Sequence, residues 1–370
     1  MKYYLISGEA SGDLHGSNLI REIKAKDPKA RIRCWGGDMM QAAGGELVMH
    51  YKERAFMGFL EVAVNIRKIL KNLKFCKEDI LTYAPEVIIF IDYPGFNIPI
   101  AQFAKKNGFK TIFYISPQVW AWKESRVKTL REVIDKMLVI LPFEKAFYHK
   151  WNYEVEYVGH PLIQVVEEFK NANPQLVKPE RKNIALLPGS RMQEIKVKLP
   201  IMLKLTREFP DSTFSIAKAP SLEDAFYETM TSGYPNVNLV KGKTYELLMQ
   251  SHAAVVTSGT ATLETALFAV PEVVCYKGSK VSYEIAKRLI RVPYISLVNL
   301  ILDKPAVKEL IQDELTPSNL KTELDKLLND TAHRDKVMRN YHELWDILSK
   351  GGTASANAAK IITDYAAEKK

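Results

Sequence analysis

The sequence predicts an α/β protein made of two doubly wound halves, and three observations predict it. Short runs rich in Ile, Val and aromatics alternate with segments of helical spacing through the first half. The same alternation restarts after a polar stretch at 171–182 that contains Pro174 and Pro179. Each half also opens with a strand-like run that ends in a turn of small residues. These are Tyr3-Tyr4-Leu5-Ile6-Ser7 before Gly8-Glu9-Ala10-Ser11-Gly12-Asp13, and Asn183-Ile184-Ala185-Leu186-Leu187 before Pro188-Gly189-Ser190-Arg191. Strand–helix alternation of this kind buries a parallel sheet between layers of helices.

Each element follows from its own pattern. In the first half, 3–7, 31–35, 87–92, 111–116, 137–141 and 155–158 read as strands. They lack clean alternation, as strands buried on both faces do. Helical spacing marks 13–26, 59–83, 98–106 and 143–151, with Asn97 read as the N-cap of the third and Gly108 as its stop. In the second half, strands are expected at 184–187, 213–216, 237–240, 253–257 and 273–276, and a helix at 192–209. From about Val307 no further strand is expected, and helices at 317–329, 331–350 and 354–367 close the chain.

Composition bounds the chemistry. At 370 residues and 47% hydrophobic content, two cores are the natural expectation. Cys34, Cys76 and Cys275 are far apart, which fits a reducing compartment and argues against a disulfide framework. The histidines are dispersed, and no D-x-D or H-E-x-x-H occurs, so no protein-held metal is expected. No G-x-S-x-G elbow supports a serine hydrolase. No signal segment is visible and no apolar run nears the roughly 20 residues of a membrane span, so a cytoplasmic, non-spanning protein is expected. The net charge of +9, from 52 Lys plus Arg against 43 Asp plus Glu, suggests an anionic partner. No nucleic-acid module accompanies it, so nucleic acid is not expected among the partners.

The turns carry the functional signal. Pro188-Gly189-Ser190-Arg191 offers backbone N–H groups at a helix start and a guanidinium fork, which suit a phosphate or pyrophosphate. Ser258-Gly259-Thr260-Ala261-Thr262-Leu263-Glu264 follows a strand; its hydroxyls can serve a phosphate and Glu264 a ribose, or the segment is a simple N-capped helix. Gly8, Gly12 and Gly16 are spaced four and four, unlike the dinucleotide fingerprint, so a nicotinamide cofactor is not expected. That first turn either only packs, or presents Glu9, Ser11 and Asp13 to a polar substrate. Asp92 ends a central strand, where ligands bind in open α/β sheets, and a partly buried carboxylate there can act as a general base. Trp120 and Trp122 can pave a sugar or acyl site, or belong to the core.

Residues 61–77 read as an amphipathic helix. Val62, Ile66, Ile69, Leu70 and Leu73 form its apolar stripe, Arg67, Lys68, Lys71, Lys74 and Lys77 flank it, and Phe59 and Leu60 stand at its entrance. Such a helix can lie on an anionic membrane or face a core with a solvated basic side.

Nine blocks, in order over about residues 1–300, resemble the lipid-A-disaccharide synthase family. Five are Gly8-Glu9-Ala10-Ser11-Gly12-Asp13, Met57-Gly58, Asp92-Tyr93-Pro94-Gly95-Phe96-Asn97, Ser116-Pro117-Gln118-Val119-Trp120-Ala121-Trp122 and Leu141-Pro142-Phe143-Glu144. Four more are Gly159-His160-Pro161, Leu187-Pro188-Gly189-Ser190-Arg191, the block from Ser258 to Glu264, and Ser296-Leu297-Val298-Asn299. One departure is visible: some relatives carry a second acid where Gly95 stands, which leaves Asp92 as the one carboxylate of its block.

The resemblance implies a GT-B fold, two Rossmann-like domains facing a cleft. The expected domains are 1–170, facing acceptor and membrane, a linker at 171–182, a UDP-sugar domain at 183–345, and a segment at 346–370 that packs back on the first. The implied reaction joins UDP-2,3-diacylglucosamine to 2,3-diacylglucosamine 1-phosphate (lipid X), giving a β-1,6 tetraacyl disaccharide 1-phosphate and UDP. It needs no cofactor and takes place at the cytoplasmic face of the inner membrane of a Gram-negative bacterium. Asp92 is then the base, with Glu9 and Ser11 in support and Asp13 and His15 as runners-up. Gly189, Ser190, Arg191, Ser258, Gly259, Thr260, Glu264 and Asn299 serve the UDP donor. Met57, Phe59, Leu60, Ile66, Arg67, Lys68, Ile69, Leu70, Lys71 and Lys74 form the acceptor and membrane face. A homodimer stays open. So do two other classes, a UDP-sugar 2-epimerase-like isomerase and a non-catalytic sugar-nucleotide sensor.

Overall fold

A computed structural model describes residues 1–54, 66–220, 222–279, 283 and 292–368. The chain forms two compact units, one of Met1–Pro161 with Leu348–Lys370 and one of Leu162–Ile347.

The first unit is built on a seven-stranded parallel sheet. Its strands are β1 (Lys2–Ile6), β2 (Arg31–Gly36), β3 (Glu46–His50), β4 (Val87–Ile91), β5 (Lys110–Tyr114), β6 (Lys136–Val139) and β7 (Glu156–Tyr157), in the order β3-β2-β1-β4-β5-β6-β7. β1, β4 and β5 are almost wholly buried, which is why apolar residues dominate their sequences. The edge strand β3 is half exposed, and its mixed sequence gave no strand signal. The helix Ala354–Ala367 lies in this unit and places Ala358, Ala359 and Ile362 in one core with Leu19, Ile20 and Ile23. Lys110 closes it: Nζ donates to the carbonyls of Tyr365 at 2.7 Å and Glu368 at 2.6 Å, satisfying carbonyls at the helix end.

The second unit repeats the design with β8 (Asn183–Leu187), β9 (Thr213–Lys218), β10 (Val237–Lys241), β11 (Ala253–Thr257), β12 (Glu272–Tyr276) and β13 (Lys308–Ile311). All pair in parallel, in the order β10-β9-β8-β11-β12-β13. β13 corrects the expectation that strands stop at Val307. It is a four-residue edge strand that begins with Lys308 and Glu309, so its sequence lacks an apolar run.

Two helix readings also change. The helix expected at 98–106 begins at Pro94, so Asn97 is inside it and is not its N-cap. The segment expected as one helix at 192–209 divides into Met192–Leu203 and Leu205–Glu208.

Candidate functional site

In each sheet the strand order reverses once, between β1 and β4 and between β8 and β11. Loops leaving the carboxyl ends of such neighbouring strands diverge and open a crevice for ligand. The motif-bearing turns follow these four strands.

In the first unit, Gly8-Glu9 follows β1 and Asp92-Tyr93 follows β4. Asp92 and Tyr93 both adopt left-handed backbone, at φ +44° and +52°. The Tyr93 ring covers Gly8 so closely that a Cβ there would lie 2.2 Å from its Cγ, so only glycine fits. Asp92 is open to solvent. Its carboxyl is nevertheless pushed up to about 6, first by desolvation from surrounding protein and then by the Glu9 charge, while the Tyr93 backbone N–H holds it down. Glu9 and Ser11 are exposed at the start of the helix Ala10–Lys26, and Glu9 acts electrostatically on Asp92.

Both runner-up bases are buried. Asp13 is buried and accepts from the N–H groups of Gly37, Met39 and Met40 at 2.8, 3.1 and 3.0 Å. It therefore caps the helix Asp38–Ala42 and has no exposed face for a substrate. His15 is buried and pushed down to about 4, and His160 to about 3, chiefly by desolvation.

Trp120 is core. It is 5% exposed, its Nε1 donates to Glu144 Oε1 at 3.2 Å, and Phe143 meets it edge-on. Glu144 also accepts from the N–H groups of Ile140 and Leu141 at 3.2 and 2.9 Å. It thus ties the loop after β5 to the loop after β6, and burial raises it to about 7. Only its block was singled out in the sequence; its clamping role depends on two distant loops meeting.

Met57, Phe59 and Leu60 lie outside the described residues. The helix Ile66–Tyr83 divides its apolar positions. Cys76 and Ile80 are buried, Leu73 packs on the core, and Ile69 is half-buried. Ile66 and Leu70 are 46% and 57% exposed, among the exposed Arg67, Lys68, Lys71 and Lys74.

In the second unit, Gly189 holds φ +118°, and Arg191 is the extended N-cap residue of the helix Met192–Leu203. Ser190 and Arg191 are exposed. Gly259 takes φ +153° before the helix Thr260–Leu267, and both Gly259 and Thr260 are exposed. Two helix starts therefore present N–H groups beside the switch point, and Arg191 adds a charge. The Ser258 hydroxyl donates to Ile295 O at 2.8 Å, so its proton is already committed. Glu264 is half-exposed and raised by desolvation; Tyr245 donates to its Oε1 at 2.8 Å, which leaves Oε2 for a ligand.

Asn299 is 1% exposed with both amide ends occupied inside the chain. Nδ2 donates to Val307 O and Glu309 Oε1 at 3.0 and 2.9 Å, and Oδ1 accepts from Val307 N at 2.9 Å. It organises the loop before β13. Two concavities of about 420 and 470 Å³ open in this unit; neither is lined by Arg191, Ser258 or Glu264. Among the described residues, no group of three or more His, Cys, Asp or Glu could hold a metal ion.

A family model described as lipid-A-disaccharide synthetase matches residues 3–362. The lipid-A-disaccharide synthase of Geobacter metallireducens is 38% identical over 375 residues, covering 99% of this chain and 97% of that protein. That of Syntrophus aciditrophicus is 37% identical over 369 residues, covering 97% and 96%. Among solved structures, UDP-GlcNAc 2-epimerase from Neisseria meningitidis bound to UDP-GlcNAc superposes with a TM-score of 0.68 at 13% identity, over 98% of this chain and 99% of that one. The glycotransferase of kitacinnamycin gives 0.67 at 14%, over 98% of each. Those two likenesses establish the GT-B fold alone.

Proposed function

The chain belongs to the lipid-A-disaccharide synthase family, and from that premise we propose how its two units divide the reaction. It is a glycosyltransferase of lipid A biosynthesis. The substrates are UDP-2,3-diacylglucosamine and lipid X. The second unit holds the donor: Arg191 and the helix starts at Ser190 and Gly259 bind the diphosphate, and Glu264 bonds the ribose hydroxyls. The first unit supplies the base. Asp92 takes the proton of the acceptor 6-hydroxyl while that oxygen forms a bond to the donor's anomeric carbon. The bond from that carbon to the diphosphate breaks on the opposite face, and its electron pair leaves with UDP. Configuration inverts to the β-1,6 linkage. Charge developing on the diphosphate meets donors already aimed at it, so a protein general acid is not required.

The observation that carries the assignment of the base is Asp92 at a switch-point strand end, accessible and raised to about 6. A carboxyl near 6 is ionised at neutral pH and still a better proton acceptor than an ordinary aspartate. No described helix is long and apolar enough to cross a membrane. We place the protein on the cytoplasmic face of the inner membrane, held there by Ile66, Leu70 and the lysines around them. The epimerase reading has support only from a shared fold at 12–13% identity. An assay with both substrates separates the cases. UDP release that requires lipid X supports transfer; turnover of the UDP-sugar without lipid X supports epimerisation and overturns the proposal.

A further inference from the structure

The turn that is proposed to bind the diphosphate contains an acid. Glu194 lies one helical turn past Gly189, and its carboxylate is tucked beneath that glycine: a Cβ on Gly189 would stand 2.5 Å from Glu194 Oε2. Its Oε1 is 3.4 Å from Arg191 Nη1 and its Oε2 is 3.8 Å from Lys198 Nζ. A carboxylate so placed has two adverse effects. It repels an incoming diphosphate, and it competes with that diphosphate for Arg191.

Lys198 offsets both. Its side chain is 2% exposed; burial lowers its affinity for the proton, and the charges of Glu194 and Cys275 work against that. A lysine so buried is rare without a strong reason for the charge. Two cations against one carboxylate leave the cluster net positive. Arg191 is 60% exposed, within reach of a ligand from solvent, whereas Lys198 is enclosed.

We propose that Lys198 is a positioning residue for nucleotide binding: a buried counter-ion that holds the Glu194 carboxylate beneath the turn and releases Arg191 to the diphosphate. In the ligand-free protein Glu194 is shared between the two cations. When a nucleoside diphosphate arrives, Arg191 turns to it and Lys198 alone keeps Glu194 neutralised. The inference rests on the reading of this turn as the UDP site.

Calorimetry with UDP tests it on three variants of the full chain. Lys198→Met should weaken UDP binding about tenfold, within the coupling measured between contacting charges. Glu194→Gln should bind UDP as well as the parent or more tightly, since the competing charge is gone. The double variant should recover most of the loss. A purely structural role for Lys198 makes a different pattern: the double variant binds as poorly as Lys198→Met, or worse. That pattern, or parent-like binding by Lys198→Met, overturns the proposal. If the parent itself does not bind UDP, the reading of the site fails instead.

Discussion

Asn97 donates its side-chain amide to the main-chain oxygen of Asp92 at 2.6 Å. The same amide reaches the oxygens of Ile6 and Ile91 at 3.4 Å each. One buried side chain thus ties the ends of β1 and β4, the two strands at the switch point. It also secures the left-handed Asp92, a conformation that costs a non-glycine residue about 1–2 kcal/mol. The proposed base is therefore aimed by its backbone, and the backbone is held by Asn97.

Asp92→Asn keeps the shape and removes the proton acceptor. Turnover should fall by about 100-fold or more, with UDP affinity unchanged. In the parent, kcat/KM should rise with pH through about 6, because only the ionised carboxyl accepts a proton and Asp92 sits near that value. Near-parental turnover by the variant, or a flat profile between pH 5 and 8 in the parent, would remove Asp92 from this role.

Asn97→Ala should act on the same step from a distance. It leaves main-chain oxygens unpartnered in the core, at about 1–3 kcal/mol of stability. We expect a lower melting temperature and a reduced kcat, with UDP affinity retained because that site is in the other unit. Parental kcat would show that the Asp92 backbone is fixed by other contacts.

Arg191→Ala should weaken UDP binding, and Arg191→Lys should restore it only in part, since a lysine cannot make two parallel bonds to a phosphate. Equal UDP binding by the parent and the Ala variant, measured by calorimetry, would refute the assignment.

The twofold α/β plan was legible because each buried strand is an apolar run closed by a small-residue turn. β3 and β13 were not, since edge strands need bury only one face and these carry Glu46, Lys308 and Glu309. The placement of Gly189, Arg191 and Asp92 just after switch-point strands was legible because one local turn defines each. Asp13 and Asn97 were misjudged, and the internal bonds of Ser258 and Asn299 were missed, for one reason. Each is a polar residue in a motif, and its hydrogen bonds go to backbone that only the tertiary fold brings near. Spacing reveals which groups are present, not which are already used.

Glu272 should limit the stability of the second unit. It is 1% exposed, and neither carboxyl oxygen has a hydrogen-bond partner of normal geometry. The Tyr341 hydroxyl is close enough to favour its ionised form, but burial prevails and raises the carboxyl well above its ordinary value. A raised folded-state value gives stability that is full below the unfolded value near 4.5 and is lost as pH rises from there. Glu272→Gln removes that loss. The variant should gain on the order of 1–3 kcal/mol at pH 8 and much less at pH 4.5. An equal shift in melting temperature at both pH values would show that the charge is not the cause.

The helix Ile66–Tyr83 carries both exposed apolar residues and core residues, so the proposed membrane contact can be tested apart from the core. Its inner side is settled by Cys76 and Ile80, both fully buried, while Ile66 and Leu70 stand in solvent beside Lys68, Lys71 and Lys74. Exposed apolar groups ringed by lysines suit an anionic lipid surface, where each basic side chain contributes about 1 kcal/mol. Lys68, Lys71 and Lys74→Glu should sharply reduce sedimentation with anionic vesicles, most of all at low salt. Ile66 and Leu70→Ser should also reduce vesicle binding, yet leave melting temperature and UDP affinity as in the parent. Ile80→Ser is the contrast: a large buried side chain is lost, so stability should fall by about 2–5 kcal/mol. The lipid-surface reading would fail if the double serine variant melted as early as Ile80→Ser. It would fail equally if the glutamate variant still sedimented with anionic vesicles as the parent does.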